Sequence, residues 1–112
     1  DLIMNINYIS DELRNLCGQP KLADRKLGQQ SARKLQVRLQ ELFAAQAVTD
    51  LINGRPHPLR HDRAGEFALD LHKGKRLIFK PTQQPPPLRD DGSIDWAQVI
   101  DITVVGAEDY HD

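Results

Sequence analysis

Two short runs near the middle of the chain, 66–71 (EFALDL) and 76–80 (RLIFK), alternate apolar and polar residues on either side of Lys73-Gly74-Lys75. A period of two is the pattern of a strand with one buried face. Two such runs joined by a glycine-containing link predict a β-hairpin. Its register is open to argument from burial. A two-residue loop at Lys73-Gly74 sets Leu71 against Arg76, whereas a three-residue loop sets Leu71 against Leu77 and Leu69 against Phe79. The second keeps one face apolar and is the expected register. Asp70, His72, Arg76, Ile78 and Lys80 then line the other face, expected to be polar and basic. A hairpin with one apolar face does not stand alone in water. The rest of the chain must cover it.

The flanking segments supply that cover. Residues 5–9 (NINYI) alternate and predict a short edge strand, after which Ser10 and the acids Asp11 and Glu12 mark a helix start. Gly18 and Pro20 close that helix. The stretch 21–47 carries Ala32, Leu35, Leu39, Leu42 and Phe43 on one helical stripe, with Gly28 a point of interruption near its start. Arg33, Lys34 and Arg38 are read as its solvated face. Thr49-Asp50 suits the cap of a short turn over 51–53. After the hairpin, 81–93 is Pro-rich and acidic and reads as an exposed loop. Trp96 is read as a lid on the edge of the core, ahead of a last strand at 99–105. The expectation is one α+β domain over 1–112, with an N-terminal strand and helices packed on one face of a small, mainly antiparallel sheet. Met4 is the sole methionine and reads as the natural start, with 1–3 as an added leader.

Composition narrows the function classes. No apolar run approaches the ~20 residues that span a bilayer, and the N-terminus lacks a signal-peptide pattern. The single cysteine, Cys17, leaves no internal disulfide and sits among leucines as a small hydrophobe. A cytoplasmic protein is expected. Net charge is only −1, but residues 55–80 carry seven Lys/Arg against three Asp/Glu, and 81–112 carry one against seven. The middle segment is therefore the candidate surface for a polyanion.

Chemistry concentrates in two places. The run Arg55-Pro56-His57-Pro58-Leu59-Arg60-His61-Asp62-Arg63 leads onto the basic strand face, where His57 and Arg60 could flank a phosphate beside Arg76. The plain alternative for His57 is a loop histidine bonded to backbone. His61 and His72 read as ordinary surface histidines. The second place is the end, Asp109-Tyr110-His111: an acceptor, a donor and a proton carrier in a row, or simply a polar tail. Spacings for a metal site do not converge, and neither a Gly-rich phosphate loop nor a nucleophile elbow is present.

Four stretches, SARKLQVRLQEL, HPLRHDRAGEFALDLHKGKRLIFKP, PPPLRDDGSIDW and the closing EDYHD, resemble the RelE/ParE superfamily of bacterial toxin–antitoxin toxins, and within it the HigB-like branch. Some members of that branch are labelled killer suppression proteins. The resemblance implies a RelE-like fold and a toxin that cleaves mRNA on the ribosome, with no cofactor. It implies restraint by a helix-turn-helix, HigA-like antitoxin, in a complex that could be a heterotetramer. By the same resemblance the catalytic set is His57, Arg60, Arg76, Asp109, Tyr110 and His111; the basic segment and strand face add Arg55, Arg63, His72 and Lys80 as expected RNA contacts, with no metal ligands. The family's usual Lys-Gly is here Arg60-His61, and arginine keeps the charge but carries no proton. Two rival readings remain: a non-catalytic binding module of toxin shape, and a ParE-like poison of DNA gyrase.

Overall fold

A computed structural model describes residues 4–109. Residues 1–3 and the last three residues, Tyr110 and His111 among them, lie outside the described residues. Strand β1 (Asn5–Tyr8) leads into three helices, α1 (Asp11–Gly18), α2 (Pro20–Leu27) and α3 (Gln29–Ala44). Strands β2 (His57–Pro58), β3 (Phe67–Asp70), β4 (Lys75–Pro81) and β5 (Asp101–Asp109) follow. One five-stranded sheet results, in the order β1-β5-β4-β3-β2, with β1 parallel to β5 and the other pairs antiparallel.

Local chemistry explains the helix ends. The Ser10 side chain accepts the Leu13 N–H at 3.2 Å and caps α1. Pro20 opens α2, where a missing N–H costs nothing. The single stretch expected over 21–47 is two helices, because Gly28 takes φ +85° and breaks the path between them. The short turn after α3 lies at Val48–Asp50 rather than at 51–53.

Ala32, Leu35, Leu39 and Leu42 of α3 pack on Phe67, Leu69, Leu77, Phe79, Ile102 and Val104 of the sheet, as the stripe predicts. Phe43 departs from it and stands 47% exposed. Arg38 corrects the reading of a solvated face. Its side chain is only 12% exposed, bonding Glu41 at 2.7 Å and the Asp70 carbonyl at 3.2 Å. Trp96 packs on Phe67 at 4.8 Å between ring centroids, which makes it the expected lid. Loop 82–93 turns back on itself through a bridge between Leu88 and Ile94, with Asp95 N–H donating to the Pro87 carbonyl.

The hairpin register differs from expectation by two residues: Leu69 faces Leu77, and Phe67 faces Phe79. Lys73 and Gly74 take φ +49° and +80°, so the turn is a two-residue one with both centres left-handed. His72 is extra, because Leu71 N–H bonds the Lys75 carbonyl while Lys75 N–H bonds that of His72. Ser31 of α3 secures the extra residue, donating to the His72 carbonyl and accepting its N–H. A shift of two preserves which face each side chain takes, so the apolar face survives.

The other face is not uniformly basic. Ala68 and Ile78 are fully buried there beneath Leu59 of the loop after β2, with Val105 beside them. The final strand, expected over 99–105, begins at Asp101 and runs on to Asp109. It pairs with β4 as far as Lys75↔Asp109, with a bulge at Val105 between the pairs Ile78↔Gly106 and Phe79↔Val104.

Candidate nucleic-acid interface

The sheet face away from the helices carries two rows of cross-strand neighbours. The inner row runs His57, Ala68, Ile78, Gly106, and the outer row brings Asp70, Arg76 and Glu108 abreast. Arg55 adjoins that outer row, because Asp70 N–H donates to the Gly54 carbonyl at 2.6 Å just before it. The rows form because β3 and β4 send alternate side chains to this face, while Phe67, Leu69, Leu77 and Phe79 go to the core.

His57 sits on the edge strand β2, half-buried. Its Nδ1 lies 2.7 Å from the Arg55 carbonyl oxygen. A carbonyl only accepts, so Nδ1 carries the hydrogen. In the neutral ring, Nε2 then holds the lone pair. The backbone bond expected of an ordinary loop histidine thus also leaves Nε2 as an acceptor.

Asp70 is the residue that sequence reasoning missed. Its Oδ1 accepts from Arg76 Nε at 3.0 Å and its Oδ2 from Arg55 Nε at 2.9 Å. Its carbonyl takes the bond from Arg38 noted above. Arg38 in turn holds Glu41, which accepts from Asn53 at 2.6 Å. Burial pushes the Glu41 carboxyl up, but the hydrogen bonds from Asn53 and Arg38, with the Arg38 charge, outweigh it and leave the group below its ordinary value. Gly54 makes this junction possible. It takes φ +82°, and a Cβ there would stand 2.5 Å from Arg38 Nε. The only sequence signal for Asp70 was its alternation with Leu69 and Leu71, which put it on this face without naming a partner.

The remaining expected residues divide. Arg63 lies over the face, bonding Glu66 at 2.6 Å and reaching Glu108 at 3.4 Å. Arg60 is exposed at the entry to a one-turn helix, His61–Arg63. His61 takes φ +57°, a left-handed conformation that glycine would favour. Lys80 is half-buried on the same face as Arg76. His72 is held at the hairpin turn by Ser31, away from the two rows. Asp109 stands opposite Lys75, 3.8 Å from its Nζ, and it is Glu108 that faces Arg76. The bulge at Val105 causes this, because it reverses the alternation of β5 beyond it. Acids thus interleave with Arg55, Arg63 and Arg76, and the expectation of a simply basic face is corrected.

Two solved structures from Staphylococcus aureus match along almost the whole length. The YoeB dimer gives a TM-score of 0.55 at 16% sequence identity, covering 97% of this chain and 98% of that one. The YoeB–YefM complex gives 0.54 at 15%, with the same coverage. The fold is RelE-like. No protein-family model matches the chain, and no curated protein does. The α+β expectation therefore stands in full: helices on one face of a mainly antiparallel sheet, in the arrangement of a YoeB chain. Among the described residues no helix is long and apolar enough to cross a membrane.

Proposed function

We propose that the chain is the toxin of a type II toxin–antitoxin pair, of the HigB-like branch, and that it cleaves mRNA on the ribosome in the cytoplasm. The observation that carries this reading is the face itself, where a histidine with Nε2 as its proton acceptor lies one row from an arginine cluster. The YoeB-type fold supports it, as does the resemblance of the closing EDYHD.

RNA brings its own nucleophile, the 2′-OH. Cleavage requires a base on that hydroxyl, an acid on the departing 5′-oxygen, and cations for the charge on phosphorus. His57 and His111 share the two proton transfers. The 2′-oxygen bonds to phosphorus, the bond to the 5′-oxygen breaks, and that oxygen takes up a proton. Arg76 and Arg60 hold the phosphate and Tyr110 orients or donates to it; Asp109, turned toward Lys75, drops out of the expected set. Arg55, Arg63 and Lys80 are contacts to the RNA backbone, with His72 further out. The solved YoeB–YefM complex supports an antitoxin partner. Here that partner is a HigA-like helix-turn-helix protein, in an assembly of up to two toxins and two antitoxins.

The interleaved acids favour a second reading, a toxin-shaped module that binds without cutting. Inducing the chain in cells and mapping mRNA 5′ ends separates the two. New ends within translated codons support the nuclease; an unchanged map rejects it. DNA damage without new ends points instead to gyrase.

A further inference from the structure

We propose that Asp70 is a positioning residue that ties Arg55 and Arg76 into a two-arginine clamp for one RNA phosphodiester and fixes the ring of His57 beside it. The proposal rests on the RNA-cleaving reading above and deepens it.

One carboxylate spans both arginines and spends a single oxygen on each, at Nε: Arg76 at 3.0 Å and Arg55 at 2.9 Å. A guanidinium has five N–H donors, so the Nε contact fixes the direction of Arg55 without using up its capacity, while Arg76 sits deeper, its side chain 12% exposed. The Arg55 side chain remains 65% exposed, with its outer nitrogens open to a ligand. Arg55 also takes φ +50°, a conformation that a non-glycine residue keeps only when its surroundings hold it. The Asp70 bridge on its side chain is one such restraint. The same residue's carbonyl accepts from His57 Nδ1. Asp70 therefore reaches the histidine through Arg55, whose side chain it grips and whose backbone sets the ring. Asp70 is itself fixed at both backbone ends, by the Gly54 carbonyl at 2.6 Å and by Arg38 Nε at 3.2 Å.

Simple electrostatics makes the opposite prediction, which gives the test its edge. Removing a negative charge from a polyanion-binding face strengthens binding. Removing a positioning carboxylate weakens it. The probe is a short single-stranded RNA with 2′-deoxy nucleotides, which cannot be cut by 2′-OH attack. Asp70→Asn keeps the shape and should weaken binding about tenfold. Arg55→Gln should weaken the parent by a similar factor and add little to Asp70→Asn. In the parent, the Nε–Hε NMR signals of Arg55 and Arg76 should shift together as RNA is added; in Asp70→Asn the Arg55 signal should stop responding. Unchanged or tighter binding by a folded Asp70→Asn overturns the proposal, as does a parent that binds no oligonucleotide. If Asp70→Asn does not fold, Arg55→Gln decides: no loss of binding overturns the clamp. A parent that binds in this way but leaves message intact sinks the nuclease reading and leaves the clamp standing.

Discussion

Asp70 and Arg76 face each other across the β3–β4 ladder, with the carboxylate Oδ1 3.0 Å from the guanidinium Nε. Arg76 thereby has a fixed direction before any substrate arrives. Preorganised charge of this kind contributes most to a transition state, because nothing need reorganise during the reaction. Replacing Arg76 by alanine should lower mRNA cleavage by about 10²–10³-fold, and His57→Ala or His111→Ala by about 10²–10⁴-fold. Ribosome-bound message cut at the parent rate by all three variants would remove this face from the mechanism.

Gly54 should tolerate no side chain. Its φ of +82° disfavours any L residue, and a Cβ would press on Arg38 Nε, which its bonds to the Asp70 carbonyl and Glu41 hold in place. Gly54→Ala should cost about 1–3 kcal/mol, read as a lowered midpoint in thermal or urea unfolding. An alanine variant as stable as the parent would show that Arg38 can move aside.

Arg38 is the second place where a surface substitution should behave like a core one. Arg38→Ala leaves the Asp70 carbonyl and the Glu41 carboxylate short of a partner, and loss of such charge-assisted bonds costs about 1.5–3 kcal/mol. Arg33→Ala, on an exposed position of the same helix, should change stability by less than about 0.5 kcal/mol. Urea melts of the two variants make the comparison, and equal midpoints would return Arg38 to the solvated face.

Cys17 predicts a fall in stability at high pH. Burial pushes its thiol from the ordinary 9.0 up to about 11, and burial also raises Tyr8, beside the Cys17 charge. A folded value above the unfolded one means that stability is fully present below pH ~9. It declines as the unfolded chain ionises first, and this contribution is gone once pH passes about 11. Cys17→Ala should flatten the decline between those limits in denaturation curves measured across alkaline pH. A slope identical to the parent's would assign the effect elsewhere.

Much of the fold was legible because short-range physics dictates it. Alternation in 66–71 and 76–80 fixed which side chains meet the core, and the leucine stripe of α3 fixed what covers them. Ser10, Pro20 and Gly28 set helix ends through capping and backbone freedom alone. The candidate site was readable only as residue types: His57, Arg60 and Arg76 could be named as candidates, because a histidine near arginines suits phosphate chemistry.

Tertiary structure decided what pairs with what. The hairpin slipped by two residues because Ser31, 41 positions away in sequence from His72, holds the extra residue of the turn. No local pattern encodes that tether. The bulge at Val105 reversed the alternation of β5, turning Glu108 toward Arg76 and Asp109 toward Lys75, an outcome that strict period-two reading inverts. Arg38 reads as solvated by helical periodicity and is half-buried only because the chain at Gly54 folds over it. Asp70, an ordinary acid in an alternating strand, gained its partners when three arginines from separate elements converged on it. Periodicity in a sequence determines the direction of a side chain; which partner waits in that direction depends on contacts between distant segments.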